Sequence, residues 1–74
     1  MEFSEESLEV LIGYYKGQLK KSLFNFEHYR SNCVAVAEHP DVIETMDKLV
    51  NEIATLKDKL NIVENYNDLR KEML

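Results

Sequence analysis

Cys33 is the single thiol of the chain, and His28 and His39 are its two imidazoles. Thiol catalysis needs a thiolate within reach of a base that activates it. Helical spacing sets His28 on the stripe opposite Cys33 and leaves His39 at a corner near a helix C-terminus, where a cationic ring is favoured. Cys33 itself falls on an apolar seam, where a free cysteine packs as a small hydrophobe. Carboxylate metal sites in helical bundles use an inward-facing Glu-x-x-His. That spacing does not occur here, and no seam position carries Asp, Glu or His. No catalytic residue, metal ligand or cofactor is therefore expected.

The remaining chemistry is concentrated in Leu11-Ile-Gly-Tyr-Tyr-Lys-Gly-Gln-Leu-Lys-Lys21. Gly13 and Gly17 are the only two glycines of the chain. A phosphate-cradling loop would need more glycines, placed after a strand. A membrane Gly-x-x-x-Gly contact is ruled out by Lys16, Lys20 and Lys21. Two missing side chains still make a shallow notch into which a helix, a ring or a backbone could fit. Beside it runs a stripe away from the seam: Val10, Tyr14, Gly17, Lys21, Phe24, His28, Ser31 and Ala35. Aromatics grouped with basic residues suit a partner protein or a flat anion. The candidate surface is Gly13, Tyr14, Lys16, Gly17, Lys20, Lys21, Phe24 and His28, with Arg30 as a further cation toward an anion.

Two long helices must position these residues. Ser4 can cap the first, with Glu5 and Glu6 at its positive end. From there Leu8, Ile12, Tyr15, Leu19, Ser22, Phe26, Tyr29, Cys33 and Val36 alternate by four and three, and Ser22 alone is polar. Leu11, Leu23 and Ala37 widen the stripe, as in a bundle helix. Pro40, the only proline, disfavours helix at His39 and suits the first turn of a second helix, which Asp41 and Glu44 would begin. Val42, Met46, Leu49, Ile53, Leu56, Leu60 and Val63 then repeat the pattern without a miss. Asn67 and Arg70 break it, while the apolar stripe drifts onto Ile62, Tyr66, Leu69 and Met73. Asn65-Tyr66-Asn67-Asp68 is weak helix, so a kink or a short separate last turn is expected there.

The expected fold is all-α: one domain over 1–74, with helix 1 at about 4–38, a corner at 38–41 and helix 2 at about 41–73. Equal arms and a short corner predict an antiparallel hairpin. Its register sets Val36 near Val42, Phe26 near Ile53 and Tyr15 near Val63. A break at Gly13, freeing residues 4–12 as a separate arm, is the alternative for helix 1. A hairpin alone leaves half of each stripe wet, so coiled-coil-like self-association into a bundle is expected, with a dimer the simplest state. A parallel dimer through helix 2 is a rival. It would pair Glu52 with Lys57 and Lys59 with Glu64 between chains, and set Asn67 on the seam.

Composition sets outer bounds. A core in 74 residues contributes only about 3–5 kcal/mol, and such chains usually need a staple. One cysteine cannot make an intrachain disulfide, which leaves oligomerisation. The net charge of −5 argues against nucleic acid or an anionic membrane as a direct partner. The first twelve residues carry −4, residues 13–30 carry +3, and the rest carry −4. Met1-Glu-Phe-Ser-Glu-Glu-Ser7 shows no signal-peptide core. No apolar run approaches the roughly 18 residues of a membrane span. With a lone cysteine, an intracellular, cytoplasmic setting is expected. The frequent Asn, Lys, Glu, Ile and Tyr would suit a phage or bacterial accessory protein. The leading expectation is a non-enzymatic homo-oligomer that works by protein–protein interaction, as adaptor, assembly factor or inhibitor. The alternative is a protein that binds or sequesters a nucleotide-like anion on helix 1 between subunits.

Overall fold

A computed structural model describes residues 3–32 and 40–74 of the chain. The readings of Cys33, Ala35, Val36, Ala37 and His39, the corner at 38–41 and the far end of helix 1 fall outside the described residues or on their edge. The described residues form three helices: α1 (Phe3–Asn32), α2 (Pro40–Glu64) and α3 (Tyr66–Met73). α1 and α2 pack as an antiparallel hairpin.

α1 runs without a break through Gly13 and Gly17, and neither glycine has a positive φ. The alternative of a separate arm ending at Gly13 therefore does not form. Each glycine costs about 1 kcal/mol against alanine in a helix interior, and the apolar face on both sides of the pair holds the helix together. Glu5 and Glu6 lie in the first turn, where they complement the macrodipole. At the other end Ser31 and Asn32 take up terminal carbonyls. Ser31 Oγ donates to the Glu27 carbonyl at 2.8 Å, and Asn32 Nδ2 donates to the His28 carbonyl at 2.8 Å.

Two side-chain contacts across the hairpin show its direction. Ser22 Oγ donates to Glu52 Oε2 at 3.3 Å, and the Lys59 ammonium lies 5.9 Å from the Tyr15 ring centroid. Moving seven residues back along α1 moves seven residues forward along α2, as antiparallel packing requires; the register is about one turn from the expected one, with Tyr15 level with Lys59 and not with Val63, because the apolar repeat alone does not distinguish registers one turn apart. Leu8, Ile12, Tyr15, Leu19 and Phe26 of α1 are half-buried, as are Val42, Met46, Leu49, Ile53, Leu56, Leu60 and Val63 of α2. Gln18 and Thr45 join them, and Tyr29 is exposed. The seam of α2 thus lies against α1, and the parallel dimer through that seam would have to displace it.

The second helix stops short of the expected span. At Asn65 ψ is 19°, well away from about −42° in a regular helix. The hydrogen-bond ladder bridges the kink: the Asn65 N–H donates to the Asn61 carbonyl at 3.1 Å, and the Leu69 N–H donates to the Asn65 carbonyl at 3.0 Å. Asn65 Nδ2 also donates to that Asn61 carbonyl, at 2.9 Å. One acceptor is shared between backbone and side chain, which is how asparagine loosens a helix interior. α3 follows on from α2 and does not approach α1.

No apolar side chain among the described residues is fully buried. The accessible surface is 6129 Å², against about 4,700 Å² for a compact monomer of this mass. The Cα radius of gyration is 16.7 Å, against about 11 Å for a globular domain of this length.

A Cβ added at Gly13 or Gly17 meets open space. Gly13→Ala and Gly17→Ala are each expected to stabilise the helix by up to about 1 kcal/mol. Thermal unfolding followed by circular dichroism at low protein concentration checks this. A lowered midpoint that appears only at high concentration would place a neighbouring chain against the notch.

Candidate functional site: the two edges of the hairpin

Residues beside the seam line two open grooves between α1 and α2, one on each edge. The first edge is polar. Gln18, Lys21, Ser22 and Asn25 of α1 face Glu52, Thr55 and Lys59 of α2 across a groove of about 620 Å³, floored by Leu49 and Leu56. The second edge carries Leu19 and Leu23 of α1 with Ile53, Leu60, Lys57 and Glu64 of α2. Ile43 and Val50 continue its line on α2 at seven-residue intervals and are exposed.

Ser22 explains the polar edge. It is the only buried residue among those described, 6% exposed. It occupies a seam position where every neighbour in the pattern is large and apolar. A two-helix contact is a narrow strip, and a long side chain on it projects past the strip and keeps one flank wet. A hydroxymethyl group is short enough to lie wholly inside it. Burial costs the hydroxyl its water, and Glu52 supplies the acceptor. Sequence reasoning did not single out this groove. The signal was present: Gln18 with Asn25 and Glu52 with Lys59 recur every seven residues beside the seam.

The stripe expected on the outside of α1 is exposed along its described length. Tyr14 is 58% and Phe24 75% exposed, and His28 and both glycines face solvent. Tyr14 meets Tyr15 edge-on, with ring centroids 5.6 Å apart. The expected basic cluster is split. Lys21 lines the polar groove with Lys59, while Lys16 and Lys20 line neither groove. Arg30 is engaged by Glu27, with Nε donating to Oε2 at 2.7 Å and a second bond from the guanidinium to Oε1. Hydrogen bonding from Arg30 holds the Glu27 carboxyl below its usual range. Any stabilisation from that pair is present at neutral pH and fades as pH falls through the depressed value. With both ends in solvent it is small.

A small ligand in either groove would keep broad contact with water, unlike the enclosed sites that hold most cofactors. Among the described residues no three of His, Cys, Asp and Glu are grouped to hold a metal ion, and no helix is long and apolar enough to cross a membrane. Compared with protein-family profiles, curated proteins and solved structures, the chain matches none.

Ser22→Ala is expected to change unfolding free energy by less than about 1 kcal/mol, because the exposed Glu52 carboxylate regains water. Ser22→Leu should destabilise by about 1–3 kcal/mol through overpacking. Urea unfolding of both variants checks the pair. A stabilising leucine would show that the hairpin opens at Ser22 to admit another helix.

Proposed function

We propose that this chain is a small non-enzymatic helical protein that associates with itself, as a dimer in the simplest case, and works by binding another protein. Adaptor, assembly factor and inhibitor are the roles this architecture suits. The observation that carries the reading is the uncovered seam: the hairpin brings its apolar residues into line and fully buries none of the described ones.

The energetics point the same way. Burial contributes about 25 cal/mol per Å² of apolar surface, and half-covered side chains collect only part of it. Against this stands a backbone ordering cost of about 1–2 kcal/mol per residue. A second layer of helices is the direct way to gain the missing burial. The surface in excess of a compact monomer, about 1,400 Å², exceeds the roughly 800 Å² that each partner contributes to a standard interface. The outer face of α1, with Tyr14, Phe24 and the glycine notch, is the surface left for a heterologous partner. An anion held between subunits draws less support, since Lys16 and Lys20 diverge from Lys21 and Arg30 is paired.

Light scattering coupled to gel filtration is expected to give a mass above 8.7 kDa, with helicity that rises with concentration. A stable, fully helical monomer across the micromolar range would sink the reading. A thermal-shift screen with nucleotides and inorganic phosphate at low salt is expected to give no stabilisation, and a clear shift would favour the anion-binding alternative.

A further inference from the structure

The side of α1 next to the apolar edge carries four charges in a fixed order. Glu5, Glu9, Lys16 and Lys20 are all exposed. Their spacings of four, seven and four residues set them within about 60° of one another around a helix of 3.6 residues per turn. Leu23 follows Lys16 by seven residues and lines the apolar groove, while Lys16 and Lys20 line neither groove. The row therefore flanks the Leu19 and Leu23 side of α1, away from the polar edge of Gln18, Ser22 and Asn25.

Within its own helix this row has no complement. No residue three or four places from any of the four carries a side chain of opposite charge. Instead Glu5 stands one turn from Glu9, and Lys16 one turn from Lys20, like-charge pairs that weaken a helix. The one ion pair among the described residues joins Arg30 to Glu27. Turned end for end, however, the row matches itself. Glu5 and Lys20 are equidistant from a point between Ile12 and Gly13, and so are Glu9 and Lys16. A two-fold axis through that point, perpendicular to α1, sets every acid of one copy level with a base of the other. A parallel pairing in step would oppose like charges along the whole row.

We propose that a second copy of this chain covers this side, with the two α1 helices antiparallel across that axis. Glu5 then pairs with Lys20 and Glu9 with Lys16 between copies, each pair made twice. This rests on the self-association reading and names its surface and direction. The contact is self-complementary, the usual form of a dimer interface. Half-buried Ile12 and Leu19 and exposed Leu23 supply the apolar surface between and beside the charges. Gly13, at the axis, presents no side chain and has open space before it, so the two backbones close in there. Exposed ion pairs each contribute little affinity; their part is to select the antiparallel arrangement.

Two variants of the full-length chain test the charges. Lys16→Glu with Lys20→Glu makes the row all acidic, and Glu5→Lys with Glu9→Lys makes it all basic. Each alone should dimerise about tenfold or more weakly than wild type by light scattering. An equimolar mixture should restore dimerisation as a one-to-one heterodimer, and circular dichroism checks that both chains stay helical. Direction is tested with the charges intact, in chains carrying Cys33→Ser. Under mild oxidation Gly13→Cys, beside the axis, should link two copies. Leu23→Cys, about 30 Å from its mate along the helices, should not. Linked Leu23→Cys dimers, or Gly13→Cys chains that stay unlinked, would overturn the antiparallel pairing. A wild-type monomer would defeat self-association itself. A wild-type dimer whose charge variants dimerise unchanged, or whose mixture is not restored, would defeat this surface alone.

Discussion

The structure depends on one narrow strip of contact between two antiparallel helices. Two cylinders touch along a line, and apolar side chains on that line are covered from one side only. Every other feature follows from this shortage of cover. Most described seam residues reach half-burial, the accessible surface exceeds that of a compact monomer, and the single side chain buried among the described residues is a serine. Three or four helices would give the same sequence pattern an interior; two give it a zipper with wet flanks.

Those flanks are not equivalent. One edge of the strip is lined by amides, hydroxyls and charged side chains around Ser22, and it is already furnished with hydrogen-bonding groups that water satisfies. The other edge, with Leu23, Ile43 and Val50, and the open end, with Leu11, Tyr66, Leu69 and Met73, expose hydrocarbon. Leu11, Tyr66 and Met73 stand on the lines of the polar edge at the open end, so the proposed self-association would leave the polar groove facing solvent only if it used the edge of Leu23, Ile43 and Val50. A hairpin with two equally apolar edges could add copies on both sides without limit. A polar edge closes one of those routes, and a two-fold contact through the apolar edge would close the proposed assembly at a dimer.

Most of the fold was legible in the sequence because a strict alternation of four and three has one physical solution, a helix with a single apolar seam. Val42 to Val63 repeats it without fault, and those residues lie in the seam. The weak cluster after Glu64 signalled the kink, because asparagine side chains compete for helix carbonyls. Three things were less legible. The glycine pair looks like a break locally, yet α1 continues, since packing on either side outweighs about 2 kcal/mol of lost propensity. The polar groove arises from polar residues on two helices, and only pairing brings them together. The lysines look clustered along the chain but point around the helix, so proximity in sequence overstated a basic site.

Ser22 ties these strands together. At the sequence level it is the flaw in an otherwise apolar register. In the hairpin it is the best-covered of the described residues and the centre of the polar edge. A leucine in its place would extend the seam and make that edge stickier, at the expense of distinguishing one side from the other. A buried polar group in a helical seam can fix register or partner at some cost in stability, and here its acceptor, Glu52, sits on the opposite helix. The same residue that weakens the seam therefore marks which face of the hairpin stays turned to water, and so which surfaces remain for a second chain.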